Sequence, residues 1–127
     1  MIYLTLEQIL QLHVLVLEKD GGSAGVRDIG RLESAVATQF QSVFEVELYA
    51  SLCEKAAAMA RGIIADHPFV DGNKRTAMLC AMTLIEINHH KMTAERGEVE
   101  DFAVKIAVDH LSVDEIANWF ETHTIKS

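Results

Sequence analysis

One proline and seven glycines in 127 residues leave too little punctuation for a many-stranded β protein. Two cysteines, Cys53 and Cys80, are too few for a disulfide framework. Each sits in an apolar helical pattern and is expected to be a small buried hydrophobe in a reducing compartment. Basic charge is scarce, 11 Lys and Arg against 19 Asp and Glu, for a net charge of −8. A phosphate-backbone partner needs a basic face, which argues against direct binding of duplex DNA or RNA. Long hydrophobic runs are missing as well. The longest candidate, Thr76 to Ile85, stops at Glu86 and is half of the ~20 residues a membrane span needs. The N-terminus carries no basic region ahead of its apolar stretch, so a signal peptide is not expected. The expectation is a cytoplasmic protein with no membrane partner.

Half the residues are hydrophobic and 24% are charged. That composition can offset the ordering entropy of folding, so a globular chain is expected. At about 100–200 residues per domain, residues 1–127 make one domain. Eight acids and two bases fall between Glu95 and Glu121, which is expected to be a solvated acidic face.

The apolar spacing predicts six helices. Thr5-Leu6-Glu7-Gln8 is a capping box that opens a first helix, Leu6 to about Lys19, with Gly21 and Gly22 supplying the stop. Asp28 caps a second helix, with Leu32, Ala35, Val36 and Phe40 at helical spacing. A third helix is predicted from about Glu47 to Asp66, with Leu48, Leu52, Ala56, Met59 and Ile63 as its stripe. Pro68 ends it at His67. A fourth, from about Asn73 to His90, is apolar nearly all round and is predicted to be the buried centre of the bundle. A fifth spans about Glu98 to Asp109. Ser112-Val113-Asp114-Glu115 is a second capping box and opens the sixth helix, to about His123.

The stretch His67-Pro68-Phe69-Val70-Asp71-Gly72-Asn73-Lys74-Arg75 breaks the local rules. Lys74 and Arg75 fall in or beside the first turn of the fourth helix, where cations oppose the helix dipole. A bound anion removes the conflict. Helix N-termini favour phosphate, Gly72 lets backbone approach it, Asn73 adds amide donors, and Lys74 and Arg75 add a point charge and a bidentate fork. Asp71 is a hard oxygen ligand able to hold Mg²⁺ on such phosphates. His67 is of the one residue type in the stretch that ordinarily titrates near neutrality, which suits a general base. Singly, each has a structural explanation: Asp71 or Asn73 as a helix cap, Lys74 and Arg75 as solvated charges, His67 as a loop histidine. Together within nine residues they point to a site. Arg27 and Asp28 are expected to be loop-solvated, and His89-His90-Lys91 to be a surface helix end. His13 and His110 have no partners at metal-ligand spacing.

The stretch resembles the signature of the Fic/Doc family, H-x-F-x-[DE]-G-N-G-R-x-x-R, with His67, Phe69, Asp71, Gly72, Asn73 and Arg75 matching. Lys74 stands where AMP-transferring members have glycine, and Met78 where they have the last arginine. Both departures resemble the Doc (death-on-curing) branch, as does Asn73 to Ala77, NKRTA. The Gly21–Gly30 loop with Arg31-Leu32-Glu33-Ser34-Ala35 resembles the family's flap region and second helix. The resemblance implies an all-α, six-helix Fic/Doc bundle around a buried central helix. It implies a nucleotide-dependent transferase using ATP and Mg²⁺. His67 would take the proton from a target hydroxyl, Asp71 would help hold the metal, Gly72, Asn73 and Arg75 would bind phosphates, and Phe69 would anchor the loop. Lys74 would stabilise charge on a transferring γ-phosphate. The implied protein is the toxin of a type II toxin–antitoxin system, a protein kinase acting on elongation factor Tu. The alternatives are a Fic-type AMP transferase and a non-catalytic phosphate-binding module. Larger Fic proteins carry an inhibitory [ST]-x-x-x-E-[GN] element. None occurs here, so inhibition is expected from an antitoxin whose C-terminal segment folds in an apolar groove beside the His67 loop.

Overall fold

A computed structural model describes all residues, Met1–Ser127. Its six α-helices are α1 (Leu6–Asp20), α2 (Ile29–Ala37), α3 (Leu52–Asp66), α4 (Asn73–Ile87), α5 (Arg96–Asp109) and α6 (Val113–Thr122). Two antiparallel strand pairs complete it: the hairpin β1 (Ser42–Val43) with β2 (Val46–Glu47), and the long-range pair β3 (His90–Met92) with β4 (Thr124–Lys126). No helix is long and apolar enough to cross a membrane.

The capping residues set the helix starts. Thr5 and Gln8 bond reciprocally at α1, and Ser112 and Glu115 do so at α6. Asp28 accepts from the Arg31 N–H at α2. Leu111 and Ile116, flanking the α6 cap, are both buried. The expected centre holds: α4 buries Ala77, Met78, Cys80, Ala81, Leu84 and Ile85. It shares that place with α3, which lies along it and also touches α2, α5 and α6. Ala56, Ala57, Met59, Ala60 and Ile63 of α3 have no exposed surface. The run of small alanines lets these two helices approach closely and fill the middle of one continuous core.

Three local expectations are corrected. The third helix begins at Leu52, not near Glu47, because Ser51 and Glu54 form a capping box of their own. The residues ahead of it make the β1–β2 hairpin, turning at Phe44 and Glu45 with φ of 51° and 67°. Leu48 and Phe40, assigned to helix stripes, lie outside any α-helix and are half exposed. The fourth helix ends at Ile87, and His90-Lys91 belong to strand β3 rather than to a helix end.

The hairpin is tied down by a buried cation. Lys55 is 1% exposed, donates to the Gln39 carbonyl at 2.8 Å and to Glu47 Oε1 at 3.0 Å, and lies 6.0 Å from the Tyr3 ring centroid. A buried ammonium with two oxygen partners is tolerated where an unpaired one is not.

Both cysteines are buried or half-buried and unbridged, as expected. Burial pushes the Cys80 thiol up to about 12 and the Cys53 thiol to about 11, the latter helped by Glu121. Neither is a reactive thiolate near neutrality. Native protein treated with iodoacetamide at pH 7.5 is expected to stay unmodified by mass spectrometry, with both positions labelled after denaturation.

Candidate active site

The nine-residue stretch folds as a loop from the end of α3 to the start of α4. His67 closes α3 in the left-handed conformation, φ 48° and ψ 59°, its N–H bonded to the Ile63 carbonyl. Pro68 cannot continue the helix and turns the chain. Phe69 plunges into the core, 1% exposed. Its ring stacks on His13 of α1 with centroids 3.8 Å apart. The His13 Nε2–H donates to the Asp71 carbonyl at 2.8 Å, which fixes that tautomer. Gly72 then reverses the chain with φ 75°, a conformation an L side chain resists, and α4 begins.

The Gly21–Gly30 segment is not a free flap. It is stitched to the site loop along its length. The Arg27 and Asp28 N–H groups both donate to the Pro68 carbonyl, and Val70 N–H donates to Gly25. Arg27, expected to be solvated, donates from Nε to the His67 carbonyl at 2.7 Å and from Nη2 to that of Asp66 at 2.6 Å. Arg31 adds a further bond to Asp66. These cations satisfy carbonyls at the negative end of α3.

Asp71 is exposed, and its carboxylate accepts from Ser23 N–H at 3.2 Å and Gly72 N–H at 2.8 Å. Those two backbone donors, Ser23 first, hold its carboxyl below the usual carboxylate value, so it stays ionised near neutral pH. Gly22 lies beside it. A Cβ added there would come within 2.8 Å of Asp71 Oδ2, at a φ of 121°. Gly22→Ala is therefore expected to break the Ser23–Asp71 contact and lower stability by about 1–3 kcal/mol, as strained backbone does; urea unfolding measures it.

Asn73 corrects one expectation. Its side-chain amide is committed to the loop: Oδ1 accepts from Phe69 N–H and Nδ2 donates to the Phe69 carbonyl, both at 3.0 Å. What Asn73 offers a ligand is its backbone. The first N–H of α4 to find a carbonyl is that of Thr76, bonded to Gly72. The N–H groups of Asn73, Lys74 and Arg75 take no partner. Lys74 makes no ion pair, and Arg75 has only Asp20, 3.9 Å from its Nε.

These residues line one cavity of about 560 Å³: His67, the run from Val70 to Arg75, and a far wall of Glu100, Asp101, Ala103 and Val104 from α5. The structure thus brings together His67, Asp71, Gly72, Asn73, Lys74 and Arg75, while Phe69 sits beneath them. Sequence reasoning missed His13, whose one signal was its place in the buried stripe of α1 with Ile9 and Val16. It also did not foresee that Glu100 and Asp101, exposed as expected, form a wall of this cavity. A narrower cleft of about 180 Å³ opens on the other side of His67, toward Arg61 and His110.

No cluster of three or more His, Cys, Asp or Glu stands ready to cage a metal. One ionised carboxylate beside free helix N–H groups is instead the donor set that suits Mg²⁺ carried on phosphates, and Asp71 fits that part.

Residues 3–85 match the model of the Fic/DOC family, and the chain belongs to that family. Within it, the similarity lies on the Doc side. The chain is 38% identical over 99 residues to Toxin Doc of Mycolicibacterium smegmatis, covering 76% of each chain. It is 30% identical over 112 residues to Protein kinase doc of Escherichia phage P1, covering 88% of this chain and 87% of that one.

Proposed function

We propose that residues 1–127 form one Fic/Doc domain that acts as the toxin of a toxin–antitoxin pair, a protein kinase transferring the γ-phosphate of ATP to a protein hydroxyl. The observation that carries this reading is the α4 N-terminus: three unpartnered N–H groups, Lys74 and Arg75 share a cavity with His67. The cavity binds the triphosphate through those N–H groups and the Arg75 fork. Asp71 would hold Mg²⁺, which would supply charge neutralisation on the phosphates. His67 takes the proton of the incoming hydroxyl. The hydroxyl oxygen forms the new P–O bond, the bond between the β- and γ-phosphates breaks, and ADP leaves. Lys74 stabilises the charge on the transferring group.

Lys74 and Met78 support γ- over α-transfer, since the AMP-transferring pattern has glycine and arginine there. Met78 is 2% exposed and apolar, so it gives a triphosphate no grip. Elongation factor Tu is the expected target, by family resemblance. Incubation with ATP labelled at the γ or the α position tests the reading. Label reaching the factor from γ alone supports it, from α identifies an AMP transferase, and from neither leaves a binding module.

The same reading assigns the antitoxin to an apolar groove. A groove of about 320 Å³ runs between α1, α4 and α5, floored by Leu15, Val16, Met78, Leu79, Met82 and Val99. Lys74 and Arg75 line both this groove and the cavity. A helix seated in it covers the phosphate-binding cations, which makes it an inhibitor as well as a ligand. Arg75→Ala is expected to weaken ATP binding about tenfold or more, as loss of a bidentate phosphate contact does; calorimetry showing unchanged affinity would remove Arg75 from the site.

A further inference from the structure

Asp20 is an acid in the last turn of α1, against the negative end of that helix's dipole. No helix-capping need explains it there, since Gly21 closes the helix with its own N–H. Its side chain is 18% exposed, on a residue whose backbone is open to solvent, and faces two arginines from two other helices. Oδ1 lies 3.2 Å from Arg96 Nη2 of α5, and Oδ2 lies 3.9 Å from Arg75 Nε of α4. Arg96 is held in turn by Glu100, Nε to Oε1 at 3.0 Å. The four side chains form a line of alternating charge, Glu100, Arg96, Asp20, Arg75, ending at the phosphate cradle.

The chemistry of that end is specific. Arg75 is half exposed on a long flexible stem, and freezing such a side chain costs entropy when a ligand arrives. Asp20 Oδ2 attracts its Nε edge across 3.9 Å, an ion pair longer than a hydrogen bond, and both Nη groups are without a partner. A guanidinium drawn to a carboxylate at one edge keeps its Nη pair for two oxygens of a phosphate. Arg96 already compensates the Asp20 carboxylate, so the tether does not simply cancel the Arg75 charge.

We propose that Asp20 is the positioning residue for Arg75, holding its guanidinium toward the incoming polyphosphate; this rests on the nucleotide-binding reading above. Asp20 touches no phosphate itself and acts only through Arg75.

A double-mutant cycle read by calorimetry tests this, with ATP as ligand and adenosine as control. Asp20→Ala is expected to weaken ATP binding about tenfold and to change nothing further in an Arg75→Ala background, because coupled residues are non-additive. Adenosine affinity should be equal in all four proteins, which a general loosening of the fold would not give. Asp20→Asn, which keeps the shape without the charge, repeats the cycle if Asp20→Ala does not fold. Equal losses in both backgrounds, or no loss in either, overturn the Asp20 assignment while nucleotide binding stands. Wild-type protein that binds no ATP overturns both.

Discussion

His67→Ala is expected to lower phosphoryl transfer by about 10²–10⁴, the usual contribution of a positioned general base, while ATP affinity stays within about twofold. The separation follows from where His67 sits. It closes α3, whereas the unpartnered N–H groups, Lys74 and Arg75 belong to α4. On the proposed mechanism, removing its ring leaves the phosphate cradle intact and deletes only the proton acceptor. Its left-handed backbone sets a trap for the experiment, since alanine tolerates φ 48° poorly. His67→Asn is the companion variant, because asparagine enters that region readily. Both should fail in single-turnover transfer of labelled γ-phosphate, and both should retain ATP in calorimetry. Near-normal transfer by either would mean that another group accepts the proton.

Phe69→Ala is expected to lower stability by about 3–5 kcal/mol, as truncation of a large buried aromatic does. The ring has 1% of its surface exposed, and it is the face on which His13 stacks. Aromatic pairing of this kind adds about 0.5–1.5 kcal/mol beyond burial. A void there also frees His13, which holds the Asp71 carbonyl. Two readouts should therefore move together: the urea midpoint falls, and ATP affinity falls even where the protein is still folded. Loss of stability with full affinity would show that Asn73 and the α1–α2 loop hold the site without Phe69.

Helix starts were legible at the capping boxes of Thr5 and Ser112 and at the lone cap Asp28. The start of α3 was misplaced although Ser51 and Glu54 make the same box. Leu48 continues the apolar spacing upstream and masks it. The hairpin at Ser42–Glu47 hides for a different reason. Its turn residues are Phe44 and Glu45, without the glycine or asparagine that ordinarily marks left-handed turn positions. Strands β3 and β4 are three residues each and pair across more than thirty positions, so no local pattern announces them. The place of the candidate site was legible because a cation at a helix start is a local contradiction, and those residues do line one cavity. Its far wall was not. Glu100 and Asp101 look like any solvated acids until packing fixes which face of α5 meets α4. Asn73 shows the limit of reading function from residue type: its amide serves the loop, and its main chain faces the cavity.

The stitching of the site loop to distant segments has a consequence for when the site comes into being. His13 reaches Asp71 across 58 positions, Ser23 reaches the same residue across 48, and Arg27 reaches His67 across 40. The opposite wall, in α5, is synthesised after the loop itself. Closing loops of that length carries an entropic cost that local helix formation does not, and long-range contacts form slowly. Helices α3 and α4 can condense on one another early through their small residues, while the geometry at His67 waits for both flanking parts of the chain. A growing polypeptide therefore carries no working cavity until α5 has been made and packed. Fragments that stop short of it should be helical and inert, and recovery of ATP binding during refolding should lag behind recovery of helix content.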